Sequence, residues 1–292
     1  MRSSNPVFSR RGFSRSGGYA GFGAAPQAGN PVAGQGNPYA QTQAPTNPYA
    51  AGDQQNLTPE QLQQMYGAPP AGPLQTGRMT MDDVVMRTGM TLGTVIVAAA
   101  VAWIAQLPVG VGFGAALVAM VLGLVQAFKR TASPALIMGY ALFEGLFLGV
   151  ISQVYNDRWS GIPMQAVLGT MAVFVGVLVA YKTRLIRVNA RFQRFVLAAA
   201  IGFVLLMAVN LLFAAIGGGD GLGFRSGGLG IVFGLVGVVL GAAFLAMDFK
   251  QIEDGVQYGA PREESWLAAF GLTLSLVWIY LELLRLISIF RD

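Results

Sequence analysis

The 292-residue chain contains no cysteine and no histidine. The first absence excludes disulfide frameworks, thiolate metal sites and cysteine nucleophiles; the second removes the usual proton shuttle and the commonest zinc ligand. Charge is scarce as well: Asp, Glu, Lys and Arg make up 11% of the residues, against roughly 25% in an average soluble domain. With 54% hydrophobic residues and a mean hydropathy of +0.54, a soluble globule of this length would lack the polar surface to stay dissolved. Composition therefore points to an integral membrane protein. Chemistry is left to carboxylates, Arg, Lys, hydroxyls and backbone. The 39 glycines are about twice the ordinary share of roughly 7%. They lie partly in apolar segments, where small residues let helices approach closely.

Residues 1–78 are dominated by Gly, Pro, Ala, Gln, Asn and Ser and have no face that could pack. Such a segment cannot bury enough apolar area to offset its ordering entropy, so it reads as a disordered cytoplasmic tail preceding a transmembrane domain over 79–292. Three short copies, Asn30-Pro31-Val32-Ala33, Asn37-Pro38-Tyr39-Ala40 and Asn47-Pro48-Tyr49-Ala50, are too small for a solenoid. They fit either a linker or a tail that docks on membrane proteins. Thr58 and Pro59 suit the start of a short helix through Tyr66. Arg2, Arg10, Arg11 and Arg15 are not followed by an apolar h-region, so no cleavable signal peptide is expected and the first span drives insertion.

From Thr80 the pattern changes. Thr80 suits an N-cap, with Asp82 and Asp83 in the first turn of a helix. Runs of about 20 apolar residues place spans at 84–106, 109–128, 134–156, 162–182, 194–216, 229–248 and 266–290, an all-α, seven-span protein. Pro108 and the combined length make the first two spans a hairpin rather than one helix. With the N-terminus inside and the C-terminus outside, 15 basic residues fall on the inner side and three on the outer (Arg158, Arg225 and Arg291), with Arg285 left in the membrane. That bias supports the orientation and a location in the plasma (inner) membrane. The basic run Lys182, Arg184, Arg187, Arg191 and Arg194 reads as a loop facing lipid headgroups, not as a nucleic-acid patch.

Ionisable residues at membrane depth are functional candidates by default. Glu144 lies near the middle of span three, where Gly145 and Gly149 form a GxxxG face. Asp248 closes span six, after Gly230, Gly234, Gly237 and Gly241. Glu282 lies in span seven with Arg285 three residues on. The bland alternatives are self-neutralisation of Glu282 by Arg285 on one helix and an Asp248 solvated at the inner surface. No enzyme is expected. A Ser/His dyad needs His, and the GxGD letters of Gly217 to Asp220 fall in an outer loop. Lys129, Lys182 and Lys250 sit at inner ends, not deep in the last span where a retinal lysine would be. No Walker A or Rossmann fingerprint occurs, and no cofactor is expected.

The opening Met1-Arg2-Ser3-Ser4-Asn5-Pro6-Val7, together with Tyr140-Ala141-Leu142-Phe143-Glu144-Gly145, Met247-Asp248-Phe249-Lys250-Gln251-Ile252 and Ile279-Tyr280-Leu281-Glu282-Leu283-Leu284-Arg285, resembles the Bax inhibitor-1 (transmembrane BAX inhibitor motif) family, in a bacterial branch with a Gly/Pro-rich tail. The resemblance covers about 79–292 and the extreme N-terminus. It implies seven helices with a central one surrounded by the others, and a pH-sensitive calcium leak. It further implies a hydrogen-bonded carboxylate couple between spans six and seven near the cytoplasmic side, assisted by a basic residue from an early span. Asp248 matches the first member and Glu282 the second, as a calcium path, with Glu144 or Glu253 as substitute partners. Arg87, Lys129, Arg130 and Arg285 are the basic candidates.

Two carboxylates held close share a proton, whose gain or loss could switch a helix contact. Calcium accepts carboxylate, carbonyl and water oxygens, so it suits a chain without His or Cys as permeant. Two other readings stay open. One is a non-conducting regulator that binds proteases or other membrane proteins; the other is a proton-coupled carrier of a small solute.

Overall fold

The computed structural model describes residues 77–129, 131–215 and 227–291. The expectations for the tail, for Arg130 and for most of the 217–228 loop lie outside these residues. The described residues form seven helices: α1 Met81–Ile104, α2 Val109–Phe128, α3 Pro134–Arg158, α4 Ile162–Lys182, α5 Ala190–Ala215, α6 Gly227–Tyr258 and α7 Glu264–Ile289. All seven contain a stretch long and apolar enough to cross a membrane. Among the described residues there is no strand, only an isolated bridge between Arg78 and Pro261.

The local signals set most helix ends. Thr80 caps α1 through a reciprocal box: its hydroxyl accepts the Asp83 N–H at 3.1 Å, and the Asp83 carboxylate accepts the Thr80 N–H at 3.3 Å. Pro108 is the N-cap of α2, so the first two spans do form a hairpin. Two boundaries move by four residues or more. α5 begins at Ala190 rather than 194, because the Asn189 side chain accepts the Phe192 N–H at 2.8 Å and caps the helix there. α6 runs to Tyr258 instead of stopping at Asp248. Its 32 residues span about 48 Å at 1.5 Å per residue, well beyond the hydrocarbon thickness of about 30 Å. Helical hydrogen bonding does not require apolar side chains. Beyond Asp248, Lys250 pairs with Asp254 at 2.6 Å and Glu253 at 3.7 Å on the same helix face.

α7 is the central helix: it packs against α6, α1, α4 and α3. Its buried residues, among them Ala269, Phe270, Ser275, Ile279 and Arg285, lie on most sides of the helix, as expected of a helix largely enclosed by others, with Leu274 left exposed. The outer helices present Ile96, Phe113, Leu205 and Val239 outward. In water such exposure would be a liability, whereas in a bilayer it is the solvated surface. α3 lies directly on α1 because Gly145 and Gly149 offer no side chain: a Cβ at either would run into the Val95 or Ala99 carbonyl of α1. The GxxxG face therefore has a defined partner.

Helix ends of like parity meet on two faces. On one, Met79 N–H donates to the Ala260 carbonyl at 2.8 Å and Arg262 N–H to that of Gly77 at 2.9 Å. Arg262 also pairs with the buried Asp83 at 2.8 Å. This face carries the basic 182–194 segment and is called the basic face below. On the far face, Arg291 donates to the Ser160 carbonyl at 2.8 Å.

Candidate proton and ion site

α6 and α7 run antiparallel in a tight seam whose register can be followed from four contacts. Leu286 and Arg285 lie over Gly234, Glu282 over Gly237, Ile279 and Trp278 over Gly241, and Asp248 over Gly271. Small residues are needed on the α6 side because a Cβ at Gly237 would sit 2.8 Å from the Glu282 carboxyl carbon, and one at Gly241 2.5 Å from Ile279. The Trp278 indole N–H closes the seam by donating to the Gly237 carbonyl at 2.9 Å.

Asp248 lies near the basic-face end of this seam. Its carboxylate accepts one hydrogen bond, from the Ser275 hydroxyl at 2.6 Å, and its other oxygen lies 3.0 Å from the place a Gly271 side chain would take. No basic side chain pairs with it among the described residues. Gly271 is five residues beyond Trp266 along α7, so Asp248 lies about 7 Å further along the bundle than Trp266, over whose ring Arg87 sits at 5.2 Å. Just beyond, Thr91 of α1 and Thr273 of α7 share a buried hydroxyl contact at 3.0 Å, which ties α1 to the same level.

The structure does not bring Asp248 and Glu282 together. Glu282 packs on Gly237, eleven residues from Asp248, or about 16 Å along α6. It forms an ion pair at 2.8 Å with Arg285, both side chains being buried. The hydrogen-bonded couple expected between spans six and seven is thus not formed in this structure, and Asp248 meets the Ser275 hydroxyl instead. The reason is register: α7 starts at Glu264, so Glu282 is carried past the middle of the seam. Glu144 is half-buried on α3 and makes no hydrogen bond or ion pair with a described residue. Glu253 accepts the Tyr181 hydroxyl and not Asp248.

The basic candidates are dispersed. Arg87 donates to the Arg262 carbonyl and the Ser265 hydroxyl, which fastens α1 to the start of α7. Lys129 is exposed at the end of α2, and Arg285 belongs to Glu282. Sequence reasoning missed Ser275, Thr91 and Thr273, and also Ser152, whose hydroxyl lies 2.6 Å from that of Tyr280. The available signal was hydroxyl residues inside otherwise apolar spans.

Asp248 and Ser275 together offer three side-chain oxygens, while a resident calcium takes six to eight. Among the described residues no three acidic side chains converge on one point. The arrangement can hold a proton or a passing hydrated cation, with water supplying the remaining ligands.

A family model described as Bax inhibitor 1 like matches residues 5–292. The chain belongs to that family. The match includes nearly all of the tail, a longer reach than the motifs alone indicate. No curated protein matches the chain. The family's multi-pass membrane character agrees with the seven apolar helices.

Proposed function

We propose that this protein is a proton-controlled leak for calcium or a similar hard cation, that Asp248 is its switch, and that its basic face lies on the cytoplasmic side of the inner membrane. The observation that carries the reading is a carboxylate within the bundle, held among the described residues by a single neutral hydroxyl and by no cation. Its two protonation states make different demands. The anion needs water or a metal ion beside it; the acid is neutral and donates a hydrogen bond of its own. Proton gain or loss therefore changes what the α6–α7 seam can accommodate. Glu144, near the middle of α3, offers a second carboxylate at depth. The orientation rests on the 15-to-3 distribution of basic residues.

The test is calcium entry into vesicles containing the purified chain and an internal indicator dye, measured against external pH. The reading expects entry above protein-free vesicles with a pH dependence that Asp248→Asn flattens. Entry no greater than in protein-free vesicles at any pH would overturn it and favour the non-conducting regulator. Saturable exchange of a solute instead would favour the carrier.

A further inference from the structure

On the basic face, α1 and α4 do not pack against each other. Between them lies a cleft of about 1,070 Å³, floored by Phe249 and Ile252 of α6 and Leu272 of α7. That exceeds the roughly 300–1,000 Å³ typical of small-molecule sites. Its walls are apolar: Val84 and Val85 on α1 face Phe174 and Leu178 on α4. Val85 is 69% exposed although it faces the gap. An apolar cleft beside a bilayer gains dispersion contacts when a hydrocarbon chain fills it and loses them when it is empty.

The mouth is cationic. Lys182, Arg184 and Arg187 line it, and none forms an ion pair with a described residue. Glu253 also lines the cleft, but it accepts the Tyr181 hydroxyl and lies 3.7 Å from Lys250, which pairs with Asp254 as well, so the three remaining cations outnumber the acids there. Arg184 is also placed at a conformational cost. It takes φ +59° at the left-handed position that ends α4, with Arg184 N–H donating to the Tyr181 carbonyl at 3.0 Å and Leu185 N–H to that of Ala180 at 2.9 Å. Glycine is the usual residue there, and an arginine is sterically strained in it. The turn therefore holds a cation over the cleft where backbone preference would place no side chain at all.

We infer that this cleft is a binding site for one anionic phospholipid, whose acyl chain lies between α1 and α4 and whose phosphate is held by Lys182, Arg184 and Arg187. Apolar walls alone would take any lipid; the unpaired cations at the mouth select a negative headgroup, since each basic residue near the surface adds attraction for it. This inference stands independently of whether the protein conducts ions.

The experiment is native mass spectrometry of the full chain released from neutral detergent micelles containing equal phosphatidylglycerol and phosphatidylcholine. One phosphatidylglycerol should be retained in preference to phosphatidylcholine. The variant Lys182→Gln/Arg184→Gln/Arg187→Gln should weaken that retention on the order of a hundredfold. Arg158→Gln/Arg291→Gln on the far face should leave it unchanged, and thermal unfolding in neutral detergent identifies any variant that is merely misfolded. Inorganic phosphate or glycerophosphate, which present the anion without chains, should not displace the lipid. Equal retention of both lipids, retention unaffected by the triple variant in a folded protein, or displacement by free phosphate would each overturn the inference.

Discussion

The two halves of the α6–α7 seam each hold a carboxylate, buried at Glu282 and half-buried at Asp248, and they treat it in opposite ways. In the far half, Glu282 is neutralised by Arg285 one turn along its own helix and is clamped over Gly237. In the basic-face half, the one hydrogen-bond partner of Asp248 among the described residues is the hydroxyl of Ser275. A buried ion pair must hold both charges or neither, because removing one partner leaves the other uncompensated. A carboxylate held by a hydroxyl can change charge with no second group left behind. One half is therefore built to stay as it is, and the other to respond to protons.

The strongest way to break this comparison is Arg285→Leu. It should destabilise the protein by about 3–5 kcal/mol by leaving the Glu282 charge buried without its cation, read as a lowered unfolding temperature in detergent. Adding Glu282→Leu should recover most of that loss. If the double variant is no better than the single, the far half is not organised around the pair. Gly237→Val probes the same half by sterics. A side chain there meets Glu282, and the expected cost is about 1–3 kcal/mol, with the Trp278 environment altered in near-ultraviolet circular dichroism.

In the responsive half the effects move from stability to pH dependence. Asp248→Asn fixes the neutral state, so calcium entry at neutral pH should equal that of the wild type at acid pH, while unfolding shifts by less than about 1 kcal/mol. A large stability loss with unchanged pH dependence would make Asp248 a packing residue like Glu282. Ser275→Ala is the mildest change. It removes the one hydroxyl donor that Asp248 meets among the described residues. The entry curve should move along the pH axis by about one unit or less, each unit being worth about 1.4 kcal/mol.

Several features were legible because they rest on local rules. The Thr80 cap, the Pro108 break, the seven apolar runs and the GxxxG contact of α3 each follow from a few neighbouring residues, and each is where those residues place it. The α6 terminus was misjudged because hydropathy reports the edge of the membrane, not the end of the helix. Lys250, Glu253 and Asp254 continue the helix into a polar setting.

The amino-acid sequence by itself determined that this is a seven-helix membrane protein of the Bax inhibitor 1 like family, with carboxylates at positions 144, 248 and 282. Those conclusions need only composition, period and motif. Which groups meet was decided by tertiary structure alone. The antiparallel register of α6 and α7 sets Glu282 about 16 Å from Asp248 and brings Ser275 to Asp248 instead. Register along a seam depends on which side chains fit over Gly234, Gly237 and Gly241, a sum of contacts between residues some forty positions apart. No window along the chain contains that information, because the contacts exist only once the two helices have packed.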